Sequence, residues 1–95
     1  MLGLKLYLVD GFSMEPSIKK NNLVLGLQNI RNLKVGDLVV FYEESLKKKL
    51  VKRISAINEN ELYCLGDNLI SSLDSRKLGW INKKQVIGKV IFIIK

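Results

Sequence analysis

At 95 residues, with 47% hydrophobic and 26% charged side chains, the chain is long enough for one domain with a modest core and too apolar for a disordered segment. It has no histidine and one cysteine, Cys64, which excludes a Ser-His-Asp triad, an internal disulfide and a conventional zinc site. The net charge of +7 favours acidic partners, but the lysines are dispersed and the densest run, Lys47-Lys48-Lys49, reads as a solvated hairpin tip.

No stretch reaches the ~18–20 consecutive apolar residues of a membrane-spanning helix. The N-terminus also lacks the basic, apolar, small-residue order of a secretory signal. As it stands the chain reads as soluble and cytoplasmic. An anchor lost from ahead of it would make it membrane-associated instead. No metal or cofactor is expected.

Leu2, Leu4, Leu6 and Leu8 alternate with Gly3, Lys5 and Tyr7, the period-two pattern of a half-buried strand. Ser17 to Asn22 has turn composition, and Leu23–Leu27 reads as a second, buried strand. Asn29 to Lys34 is a polar connection. Val35-Gly36-Asp37 turns into Leu38–Tyr42, the strongest strand signal in the chain. Glu43 to Lys49 reads as a charged hairpin loop, with Leu50–Ile57 returning as its partner strand. Leu62–Leu65 is a short strand, followed by Gly66-Asp67-Asn68 and a polar loop through Ser71, Ser72, Asp74, Ser75 and Arg76. Trp80 reads as a core residue and Cys64 as a small buried hydrophobe. Val86–Ile94 is the last strand. This spacing predicts an all-β fold over residues 1–95, a small antiparallel barrel or sandwich-like core with little helix.

One stretch stands out chemically. In Asp10-Gly11-Phe12-Ser13-Met14-Glu15-Pro16-Ser17, a serine lies between a glycine and the only proline, so it is mounted on a locally stiff backbone. A hydroxyl nucleophile needs a partner to take its proton. Without histidine, the remaining bases are a carboxylate or a lysine that burial has made easy to deprotonate. Lys52 sits in an apolar strand pattern, where burial of that kind could occur.

Gly11 to Pro16, Val51-Lys52-Arg53-Ile54, and Gly66-Asp67-Asn68 followed by Ser72, Asp74-Ser75-Arg76 and Gly79 together resemble the signal peptidase I family of Ser/Lys endopeptidases. The Val35–Phe41 and Val86–Val90 stretches resemble that family's flanking segments, so the likeness covers nearly the whole chain. It implies a catalytic core of the signal peptidase type, with Ser13 as nucleophile, Lys52 as general base and Ser72 orienting the lysine amine. It further implies an oxyanion held by the Ser13 backbone N–H and a second donor, an Arg53–Asp67 pair, support from Asn68, an Asp74–Arg76 ion pair beneath the site, and Met14 lining a substrate pocket. The second donor is open, because many bacterial members carry a serine where this chain has Gly11. The chain is similar to the small maturation proteases of the family, including those that trim the precursor of nickel-type superoxide dismutase. The implied partner is a precursor protein or peptide, cleaved after a small residue, with association at a membrane surface as a further possibility.

Two other functions are weighed against this one. Self-cleaving repressors use a related Ser/Lys pair, but they carry a DNA-binding domain and cleavage segment ahead of the core, whereas this chain begins almost at the serine. A basic β-barrel binding nucleic acid would interleave aromatic and basic residues on one face. Aromatics are only 7% of this chain and fall mostly in apolar strand patterns, so no nucleic-acid partner is expected.

Overall fold

The computed structural model describes residues 3–28, 32–68, 70 and 73–95. Its strands are β1 (Leu4–Leu8), β2 (Leu23–Leu27), β3 (Leu38–Glu43), β4 (Lys48–Ile57), β5 (Glu61–Leu65), β6 (Ile81–Asn82) and β7 (Val86–Ile94). They form one seven-stranded sheet in the order β1-β2-β7-β3-β4-β5-β6, with every pairing antiparallel. Among the described residues, helix is confined to α1 (Ser75–Leu78) and a single 3-10 turn over Lys83–Gln85. The fold is therefore all-β, with a small sandwich-like core.

Alternation along β3 divides the core. Val40 points into a cluster with Tyr7, Val9, Met14, Ile18 and Val24, whereas Val39 and Phe41 point into a second cluster with Ile54, Leu62, Cys64 and Ile81. A strand buried on both faces needs a continuous apolar run, and Leu-Val-Val-Phe-Tyr is one.

The structure revises the sequence reading at several positions. In β1 the alternation is present, but its leucines face outward: Leu4, Leu6 and Leu8 are 59%, 52% and 63% exposed, and Tyr7 is buried. The Tyr7 ring occupies the space that a Cβ would need at Gly26, 2.9 Å from its Cε2, and it lies against Gly88 as well. Two glycines on neighbouring strands thus make the slot that draws the tyrosine inward. Lys48 and Lys49, assigned above to a loop, extend β4, and the turn is shorter, with Lys47 at φ 52°. Trp80 is 43% exposed rather than core, and meets Tyr63 edge-on with centroids 5.2 Å apart. The polar stretch before Gly79 contains α1, whose first turn Asp74 caps by accepting from Arg76 N.

Candidate active site

β4 delivers Lys52 to the site. Within β4, Leu50, Lys52 and Ile54 share a face, and Lys52 stands opposite Val39 of β3 in the register. Its side chain is enclosed: Lys52 is 2% exposed. Burial pulls its ammonium pKa below the usual 10.5, opposed by the negative charge of Asp74 and, secondarily, by Cys64.

Ser13 lies in the turn after β1. Lys52 Nζ donates to Ser13 Oγ at 2.8 Å. Once the ammonium has lost a proton the contact reverses, with the hydroxyl donating to the amine lone pair. The Ser13 backbone N–H makes no hydrogen bond among the described residues. Two residues earlier, Gly11 has φ 120°, a conformation L side chains rarely adopt, although a Cβ there would meet nothing within 4 Å.

The Gly66–Asn68 segment fixes this turn from outside. Asn68 N donates to Ser13 O at 2.8 Å and Asn68 Nδ2 to Phe12 O at 3.1 Å. Asp67 is held by a two-point fork, with Arg53 Nε and Nη2 each 2.9 Å from its oxygens, and Arg53 Nη1 continues to Gly36 O. These donors, Arg53 foremost, hold the Asp67 carboxyl below the usual carboxylate range. Ser17 Oγ adds a third contact to Asp67 at 2.6 Å. The sequence reading missed Ser17 as a site residue; its partner is fifty positions away, and a serine in a turn carries no local signal of it.

Asp74 is fully buried behind the site. Its carboxylate accepts from Gly66 N at 2.9 Å, and from Arg76 Nε and Nη2, both at 3.0 Å. Ser75 Oγ accepts from Cys64 N at 2.9 Å, tying α1 to β5. Burial, with Asp74 nearby, pushes the Cys64 thiol up to about 12. Met14 is packed in the first core cluster, and its Sδ accepts from Asp67 N at 3.4 Å. Ser72 lies outside the described residues. No cluster of three or more Cys, Asp or Glu among the described residues could hold a metal ion.

Two cavities open on the pair. One of about 190 Å³ is lined by Leu8 to Asp10, Ser13, Met14 and Lys48 to Lys52. The other, about 360 Å³, lies between Gly11, Phe12, Leu46 and Leu73, and shares Asp10, Ser13, Lys48, Leu50 and Lys52 with the first. An enclosed lysine contacting a serine at the floor of a groove has the parts for nucleophilic acyl transfer.

Comparison with known proteins decides the family. The family described as "Signal peptidase, peptidase S26" matches residues 1–58 and 55–95. The chain belongs to the signal peptidase S26 family. It is also similar to the protein named Signal peptidase I of Buchnera aphidicola subsp. Baizongia pistaciae (strain Bp), 46% identical over 37 residues. That alignment covers 39% of this chain and 12% of the Buchnera protein, so the chain spans a small part of the relative's length. No helix among the described residues is long and apolar enough to cross a membrane.

Proposed function

We propose that this signal peptidase family chain is a serine endopeptidase that cleaves a leader or signal segment from a precursor after a small residue, with Ser13 as nucleophile and Lys52 as general base. The carrying observation is the 2.8 Å contact between Ser13 Oγ and the buried Lys52 amine. A solvated lysine titrates near 10.4 and is almost wholly charged at neutral pH. The desolvation acting on Lys52 moves it toward the neutral form that a base requires.

In this mechanism Oγ attacks the scissile carbonyl carbon as its proton passes to Lys52 Nζ. The Ser13 N–H supports the oxyanion. Lys52 then protonates the departing amine, leaving an ester on Ser13, and next takes a proton from the water that hydrolyses it. The Asn68 bonds to Ser13 O and Phe12 O hold the nucleophile's backbone while charge develops.

A substrate in extended form has a place to lie. β5 pairs with β4 only from Arg53 onward, so among the described residues β4 from Lys48 to Lys52 is paired with β3 on one side alone. That unpaired edge borders the groove and can accept a peptide as an added strand. Across the sheet, the outward Leu6–Leu25–Phe92 and Leu8–Leu23–Ile94 rows form an apolar patch, which supports association with a membrane surface.

The test is acylation by a mechanism-based inhibitor of Ser/Lys peptidases, read by intact mass against pH. An adduct on Ser13 that rises with pH and is lost in Lys52→Ala is the expected result. No adduct, or one unchanged in Lys52→Ala, overturns the mechanism.

A further inference from the structure

The groove has an uneven charge. Asp10 is the only carboxylate lining either cavity among the described residues, whereas Lys48 lines both and Lys49 lines the smaller. Neither lysine has an ion pair or hydrogen bond to its ammonium among the described residues; Lys49 Nζ lies 5.7 Å from the centre of the Tyr7 ring. Glu43, opposite Lys48 in the register, is instead turned to the hairpin, accepting from Ser45 Oγ at 2.7 Å. Successive residues of a strand point to opposite faces, so Lys48 and Lys49 flank the unpaired edge of β4, one on each side.

These cations stand at a fixed distance from the reacting serine. Strand residues rise about 3.3 Å each, so Lys48 is about 13 Å along β4 from Lys52. A peptide added beside β4 keeps the same rise. Its residue level with Lys48 is therefore about four removed from the one level with Lys52, and the flexible lysine stem allows one residue either way. Whichever face that residue takes, one of the two lysines is on it.

We propose that Lys48 and Lys49 make the groove selective for peptides carrying an acidic side chain three to five residues from the bond presented to Ser13. The inference rests on the peptidase reading for its substrate class, but binding can be measured apart from hydrolysis.

The experiment uses fluorescein-labelled synthetic peptides with alanine around the central bond and Glu, Gln or Lys at the fourth residue from it, on either side. Affinity for the Ser13→Ala protein is read by anisotropy. The Glu peptide of one side should bind about three- to tenfold tighter than its Lys counterpart at low ionic strength, the scale of one partly exposed attraction gained and one repulsion avoided. High salt should narrow the gap. The Lys48→Glu/Lys49→Glu variant should reverse the order, and the milder Lys48→Gln/Lys49→Gln variant should remove it. Equal affinities, absence of binding by every peptide, or a preference that survives both double variants would overturn the inference. Hydrolysis of the Gln peptides by the unmodified protein, lost on Ser13→Ala, tests the peptidase reading separately; its failure with the binding order intact would count against the chemistry alone.

Discussion

Lys52 Nζ contacts Ser13 Oγ at 2.8 Å while the lysine is 2% exposed, so the amine reaches the serine hydroxyl almost without access to bulk water. Burial on this scale gives stability a pH dependence. The folded-state pKa of Lys52 lies below 10.5, so between the two values the unfolded chain holds a proton that the folded chain lacks. Stability therefore rises with pH across that window. Lys52→Met, which keeps the volume without the charge, should raise Tm by several degrees at neutral pH, about 4–8 °C for each 1 kcal/mol in a domain of this size. The advantage over the unmodified protein should shrink as pH approaches 10.5, as calorimetric scans across the range would show. Activity should fall by about 10²–10⁴-fold in the same variant, the usual contribution of a general base.

Asp74 and Arg76 offer a way to tune that lysine. The carboxylate raises the Lys52 pKa, against the larger effect of burial, and the Arg76 fork offsets part of its charge. Arg76→Gln should leave more of the negative field at Lys52 and move the acidic limb of the pH–rate profile to higher pH. Asp74→Asn should move it lower, with a loss of stability because the buried site loses a charge-assisted acceptor for Gly66 N and Arg76. Profiles of kcat/KM against pH for both variants check the opposed directions.

Gly11 answers whether a serine there would restore a second oxyanion donor. Its φ of 120° is the obstacle, since surrounding space is open. Gly11→Ser and Gly11→Ala should each cost about 1–3 kcal/mol or relax the turn that carries Ser13. Both should cleave more slowly than the unmodified protein, and serine should show no gain over alanine. A faster Gly11→Ser enzyme would show that the turn adapts and that a hydroxyl donor was what the site lacked.

The strands were largely legible because alternation and β-branched runs survive in a single sequence. β2 and β7 fall on the expected bounds, Leu23–Leu27 and Val86–Ile94. What alternation cannot supply is which face turns inward. At β1 the answer depends on the slot at Gly26 and Gly88, contributed by strands distant in the chain. Likewise α1 is four residues long, too short for any helical period, and is set by the Asp74 cap. In the candidate site, Ser13, Lys52, Arg53, Asp67, Asp74 and Arg76 could be proposed from the sequence because each falls in a short stretch that resembles a motif of the family. Ser17 was not, because its one signal is a carboxylate reached through the fold.

Cys64 gives a check on whether the interior stays closed. It is buried in the second core cluster and its thiol is pushed up to about 12. A thiolate-seeking reagent at pH 8 should leave native protein unlabelled and label it only as it unfolds. Rapid labelling of native protein would show that β5 and α1 open readily, because Ser75 Oγ binds the Cys64 amide between them.

The outward leucines of β1 allow the membrane-surface reading to be tested without touching the site. Leu6 is 52% exposed, in a row with Leu25 and with Phe92, itself 62% exposed. Placing such side chains in the interfacial region of a bilayer removes apolar surface from water, at roughly 25 cal/mol per Å². A carboxylate within the patch opposes this. Leu6→Glu should therefore sediment with zwitterionic vesicles several-fold less than the unmodified protein, while its Tm changes little because the position is solvent-facing on an edge strand. Anionic vesicles should retain more of both proteins, through a net positive charge that is +7 in the unmodified chain and one less in the variant. If Leu6→Glu sediments with zwitterionic vesicles as well as the unmodified chain does, the patch does not contact lipid and the leucines of β1 need another explanation.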